Sequence, residues 1–63
     1  MITVEPKDVL NTLAALKILA NDVASGIMDG NYREAEDIAS MMLVKAGHIS
    51  AHISILIDQE ESV

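Results

Sequence analysis

Two histidines, His48 and His52, are the residues whose type and spacing come nearest to a chemical site. They lie four positions apart, so on a helix they share a side, and two imidazoles at this spacing can hold one metal ion. A metal site needs a third and usually a fourth ligand, but the neighbour on that side is Lys45. Glu34 or Asp37 of a second chain would have to complete it. We expect His48 and His52 to lie at an interface or its rim, without a metal and without any cofactor.

The other polar residues do not form a pattern that indicates catalysis. The chain has no cysteine, no serine in a nucleophile-elbow sequence and no glycine-rich phosphate-binding loop. Acids are plentiful, but they gather at the start of a predicted second helix and in the C-terminal tail, where capping and solvation account for them. The sequence therefore predicts a protein that is not an enzyme and that acts by binding.

The size and charge of the chain limit what it can bind. A single small domain of 63 residues without cysteine has no disulfide to support its core, so self-association is the expected support. A formal net charge of −6 repels phosphate backbones and anionic membranes. No signal-peptide pattern is visible, and no uninterrupted apolar run approaches the ~18 residues of a membrane span. We expect a cytoplasmic homo-oligomer that binds another protein and does not bind a membrane.

A turn sequence near the middle of the chain, Asp29-Gly30-Asn31, separates two helix-forming halves. Gly30 suits a left-handed backbone position, and Asn31 with Glu34 has the spacing of a capping box at the start of a helix. Pro6 fits the first turn of the preceding helix. The sequence predicts one domain over 1–63, with helix 1 over about 6–28, a turn over 29–31, helix 2 over about 32–58 and a frayed acidic tail over 59–63.

Helix 1 carries one apolar stripe with heptad spacing. At ~100° per residue its members fall within an arc of about 80°. They are Val9, Leu13, Leu16, Ala20, Val23 and Ile27. We expect helix 2 to cover this whole stripe. Ile18 lies on the opposite, polar side, either as an exposed apolar residue of the common kind or as a contact with another chain.

Helix 2 is apolar on two sides. Its main stripe comprises Ala35, Ile38, Ala39, Met42, Ala46, Ile49, Ile53, Leu56 and Ile57. An adjacent side carries Met41, Val44, His48 and Ile55. A helix that is apolar on two sides is normally buried on two sides, and helix 1 can cover only one of them. The sequence therefore predicts that the second side is the interface of a homodimer.

The expected architecture is an all-α, antiparallel two-helix hairpin that dimerises into a four-helix bundle. Its length, its two near-equal helices and its acidic turn resemble the Rop family of small plasmid RNA-binding proteins, which form such bundles as antiparallel dimers. The resemblance implies an RNA-binding face on helix 1, where this chain has Lys7, Asn11, Ile18 and Asp22. That face has no aromatic residue, and Asp22 would repel phosphate, so nucleic acid is not the expected partner.

The function that follows is that of a small non-catalytic protein-interaction module, a regulator or inhibitor acting as a homodimer. Two alternatives remain at this point. One is a Rop-like dimer that binds RNA through helix 1. The other is a dimer that binds a metal ion or a small ligand at its interface through His48 and His52.

Overall fold

The chain folds into two long antiparallel helices joined by a tight turn. The computed structural model describes residues 3–62, and Met1, Ile2 and Val63 of the predicted domain lie outside the described residues. Helix α1 spans Pro6–Met28 and helix α2 spans Tyr32–Glu61, which confirms the predicted all-α hairpin. The molecule is a rod of 51 × 15 × 14 Å, so it is only two helices wide.

The start of α1 follows from the chemistry of its first residues. Pro6 occupies the first turn of the helix, where its missing N–H leaves no hydrogen bond unmade. The N–H of Glu5 donates to Oδ2 of Asp8 at 3.2 Å. The Asp8 carboxylate also lies at the positive end of the helix dipole, which stabilises the negative charge.

The turn is a Schellman motif, in which a left-handed glycine lets the last carbonyls of α1 find donors. Gly30 has φ +80°, which confirms the left-handed conformation predicted for it. Its N–H donates to the carbonyl of Ile27 at 3.2 Å, and the Asn31 N–H donates to the carbonyl of Gly26 at 2.8 Å. Asn31 precedes α2 without a side-chain cap hydrogen bond. The predicted capping box is therefore wrong, because the Asn31 N–H is already used and is not offered to Glu34.

The two helices meet along a seam whose residues recur every three and four positions. Its buried or half-buried members are Val9, Thr12, Leu16, Leu19, Val23 and Gly26 of α1, with Ala35, Ile38, Met42, Lys45, Ile49, His52, Leu56 and Gln59 of α2. The expectation that helix 2 covers the whole helix 1 stripe is wrong for half of its members. Leu13, Ala20 and Ile27 are exposed, and the seam is rotated from the predicted stripe by roughly 50°.

The turn accounts for this rotation. A Cβ built on Gly26 would lie 3.2 Å from the Cβ of Ala35, so the two helices approach closely just beyond the turn. Gly26 must face α2 for this approach to occur, and the rest of α1 follows the same register. Its neighbour Ile27, although more apolar, is turned outward.

Helix α2 extends three residues beyond its predicted end at Asp58, so Gln59–Glu61 are helical rather than part of a frayed tail. A contact with the other end of the chain accompanies this extension. Oε1 of Gln59 accepts from the Val4 N–H at 2.9 Å, and Nε2 of Gln59 donates to the Val4 carbonyl at 3.0 Å. The side chain of Val4 is buried beside this pair of bonds.

Candidate functional site

The two long faces on either side of the seam are the candidate surfaces for function, and the seam itself indicates how they differ. Its residues form two rows along each helix. The first row is apolar throughout and comprises Val9, Leu16, Val23, Ala35, Met42, Ile49 and Leu56. The second row includes most of the polar members and comprises Thr12, Leu19, Gly26, Ile38, Lys45, His52 and Gln59. Each row borders a different face.

The apolar face lies beyond the first row. We define it by Leu10, Leu13, Ala20, Ala24 and Ile27 of α1 and Tyr32, Ala39, Leu43, Ala46, Ile53 and Ile57 of α2, all of which are exposed. An open groove on this face is lined by Leu16, Ala39, Met42, Leu43 and Ala46. The groove joins the first row of the seam to the exposed residues of α2. One side of the small core is therefore uncovered.

The acidic face lies beyond the second row. We define it by Asp8, Ile18, Asp22 and Asp29 with Glu34, Asp37, Met41, Val44, His48, Ile55 and Asp58. A cleft near the turn brings its two halves together and is lined by Asp22, Ser25, Gly26, Asp29, Asn31, Glu34 and Ile38. Six of the ten acids of the chain lie on this face. Lys7 and Arg33 lie at its edges and Lys45 lies in the second row, so acids outnumber bases and the potential of the face is negative.

The residues predicted to bind a second chain all lie on the acidic face. Met41 and Val44 are exposed, and so are His48 and Ile18, whereas Ile55 is half-buried. Their contact with another chain stays a prediction. The structure does bring Ile18 of α1 to the same face as Met41 and Val44 of α2, which the separate patterns of the two helices did not show.

Sequence reasoning missed Leu43, which is 76% exposed and is the most exposed leucine or isoleucine of the apolar face. The signal for it was present. Leu43 follows Ala39 by four positions and precedes Ala46 by three, so it belongs to a stripe that continues to Ile53 and Ile57. The main stripe predicted for helix 2 combined two rows, one facing α1 and one facing outward.

The two histidines have different surroundings in the folded chain. His48 is exposed on the acidic face, whereas His52 is half-buried in the second row of the seam. The Nδ1 atom of His52 is buried without a hydrogen-bond partner. Within residues 3–62, no group of three or more His, Asp or Glu side chains is placed to hold a metal ion.

The balance between covered and uncovered apolar residues is unusual for a folded chain. In the described residues the buried core consists of Val4, Val9 and Ala35. On the apolar face, six leucine and isoleucine side chains are each 37–76% exposed. Their exposed fractions amount to about three whole side chains, so covering them would contribute roughly 5–10 kcal/mol per chain. This exceeds the few kcal/mol that a core of this size supplies by itself.

Helix α2 also meets a length and composition test for crossing a membrane. Its most apolar window has a mean hydropathy of 1.3, although no apolar run is uninterrupted for that length. The polar residues Lys45, His48 and His52 lie within the helix. One helix that meets this criterion is weak evidence for a membrane span. A lipid surface is a competing occupant of the apolar face.

Comparison of the chain with protein families, curated proteins and solved structures finds no match. The resemblance to the Rop family is therefore one of architecture. What the chain does has to be inferred from its two faces.

Proposed function

We propose that this chain is a non-catalytic protein-interaction module that acts in the cytoplasm as a homodimer, in the manner of a small regulator or inhibitor. The observation that carries the proposal is the apolar face, which the chain exposes along both helices and cannot cover itself. A chain with a buried core of three described residues gains more from covering this face than from any contact within the hairpin. Dimerisation into a four-helix bundle would provide that cover.

A second protein is the proposed target of the dimer. Ile18 is 63% exposed on the acidic face, and Met41 and Val44 are more than half exposed on the same side. Acids lie around these three residues toward both ends of the rod. An apolar centre within a charged surround is the usual anatomy of a protein-binding patch. Ile18 is the member of the patch on α1, and a contact with another chain is one of the two interpretations that its sequence position allows.

Capture from a cell extract tests this function. We compare the tagged chain with an Ile18→Asp variant and with a Ser54→Asn control, because Ser54 is also exposed but lies away from the patch, and asparagine adds no charge beside the apolar face. We expect one identified protein to be retained by the wild-type chain and the control and to be lost by Ile18→Asp. Recovery of the chain alone in all three samples would count against the proposal. RNA retained at low salt and released as salt rises would favour the Rop-like alternative.

A further inference from the structure

We infer that the apolar face is the docking site for a second copy of this chain, which completes a four-helix bundle over the groove beside Leu16 and Met42. This inference rests on the proposed homodimer and names the surface that forms it. It differs from the interface that the sequence predicts, because Met41, Val44 and His48 would lie outside the bundle on the acidic face.

A long side of the rod is large enough to form the interface of a stable dimer. The rod is 51 Å long and 15 Å wide, so one long side presents about 750 Å² in projection. A specific interface of standard size buries about 800 Å² on each partner. A second rod laid along this side would cover exposed residues from both ends and from the middle, with Ile27, Leu43 and Ile57 among them.

The charges of the two faces also favour the apolar face as the dimer interface. Within the described chain, the positions of the apolar face include the charged residues Lys17, Glu36, Glu60 and Glu61, with one acid near the start of α2 and two near its end. Two copies joined through the acidic face would instead oppose six carboxylates with six others, and only Arg33 and Lys7 at the edges and Lys45 in the second row would offset them. Such a like-charge contact is unfavourable, and it opposes self-association on that side.

The two rows of the seam independently favour the apolar face as the dimer interface. The first row is apolar from Val9 to Leu56 and opens onto the groove, so a second copy on this side would extend a continuous apolar core. The second row contains Lys45, whose ammonium group needs access to water or to a charged partner. A second copy that packed on this side would bury it.

Neighbouring residues on α2 provide a matched test. Leu43 and Val44 are 76% and 59% exposed and lie on the apolar and the acidic face. Both are mostly exposed and lie outside the seam, so both substitutions leave the seam residues unchanged. We measure the mass of the wild-type chain, Leu43→Glu and Val44→Glu by sedimentation equilibrium, and their helicity by circular dichroism.

We expect the wild type and Val44→Glu to have twice the mass of one chain and Leu43→Glu to have the mass of one chain. If both glutamate variants are single chains, Leu43→Ala and Val44→Ala decide the question. Leu43→Ala should raise the dimer dissociation constant about tenfold or more, whereas Val44→Ala should change it only slightly.

The outcomes that overturn the inference are distinct from those that overturn the proposed function. A dimer that is broken by Val44 substitutions and unaffected by Leu43 substitutions would place the interface on the acidic face and leave the homodimer intact. A wild-type chain that remains a monomer at every concentration would contradict both this inference and the proposed homodimer. If that monomer also co-sediments with phosphatidylcholine vesicles, the apolar face binds a lipid surface instead of a second copy.

Discussion

Gln59 holds the two ends of the hairpin together through one side chain. Its amide group both accepts from and donates to the backbone of Val4, much as a neighbouring strand would. Each hydrogen bond of this kind contributes about 0.5–1.5 kcal/mol. We therefore predict that Gln59→Ala lowers the free energy of unfolding by about 1–2 kcal/mol, measured by urea denaturation at a fixed protein concentration.

The control for this prediction is Asp58→Ala, which changes an exposed neighbour that lies outside the proposed dimer interface. It should leave the free energy of unfolding nearly unchanged. Hydrogen exchange provides a local measurement, because the Val4 amide should exchange faster in Gln59→Ala and at the wild-type rate in Asp58→Ala. Equal losses of stability in both variants would contradict a specific clamp at Gln59.

Two glycines should respond in opposite directions to the same substitution. Gly30 has φ +80°, a conformation that costs a residue with a Cβ about 1–2 kcal/mol. Gly47 lies within α2, and a Cβ there would have no heavy atom within 4 Å beyond its own helix backbone. We predict that Gly30→Ala destabilises the chain by about 1–2 kcal/mol and that Gly47→Ala stabilises it by about 1 kcal/mol, as measured by thermal and urea unfolding. A destabilising Gly47→Ala would instead indicate that another helix packs against that position.

At the scale of the helices, most of the fold could be predicted from the sequence. The heptad spacing of α1, Pro6 at its start and Gly30 at its end each have a local cause that a sequence displays. The rotation of α1 could not be predicted in this way. Leu13, Ala20 and Ile27 are more apolar than Thr12 and Gly26, so hydrophobicity favours the wrong row. The close approach of Gly26 to Ala35 turns the row with the smaller residues inward instead.

The same reasoning explains what could be predicted of the candidate surfaces. The presence of surplus apolar residues on helix 2 could be inferred by counting them. The sequence did not reveal that helix 1 carries a surplus as well, since its outward row became visible only once the rotation was known. The sequence also did not reveal the contact between Gln59 and Val4. This contact joins residues 55 positions apart, so it leaves no periodic signal.

The approach of the helices at the turn yields a prediction at this scale. A Cβ on Gly26 would already be 3.2 Å from Ala35, so a larger side chain has no room without separating α1 from α2. We predict that Gly26→Leu destabilises the chain by about 1–3 kcal/mol in urea denaturation. Ser25→Leu is the control, because Ser25 is exposed on the adjacent position. Equal effects of the two substitutions would indicate that helix propensity, and not the close approach, determines the result.

At the scale of the whole molecule, the hairpin is an incomplete folding unit. Its apolar first row opens onto a groove, its apolar face is exposed over the length of the rod, and six of its ten acids lie on the opposite side. A second copy on the apolar face would complete the core and leave the acidic face, with Ile18 at its centre, available for another protein. Folding and association are then coupled, so the stability of the chain should increase with its concentration.

The mass of the unmodified chain in solution tests this account most directly. One chain has a mass of 6.8 kDa, and a dimer has twice that, about 13.6 kDa. Sedimentation equilibrium over a wide range of protein concentrations should show the larger mass, with dissociation toward the smaller mass only on dilution. A folded, helical chain that keeps a mass of 6.8 kDa at every concentration would contradict the account.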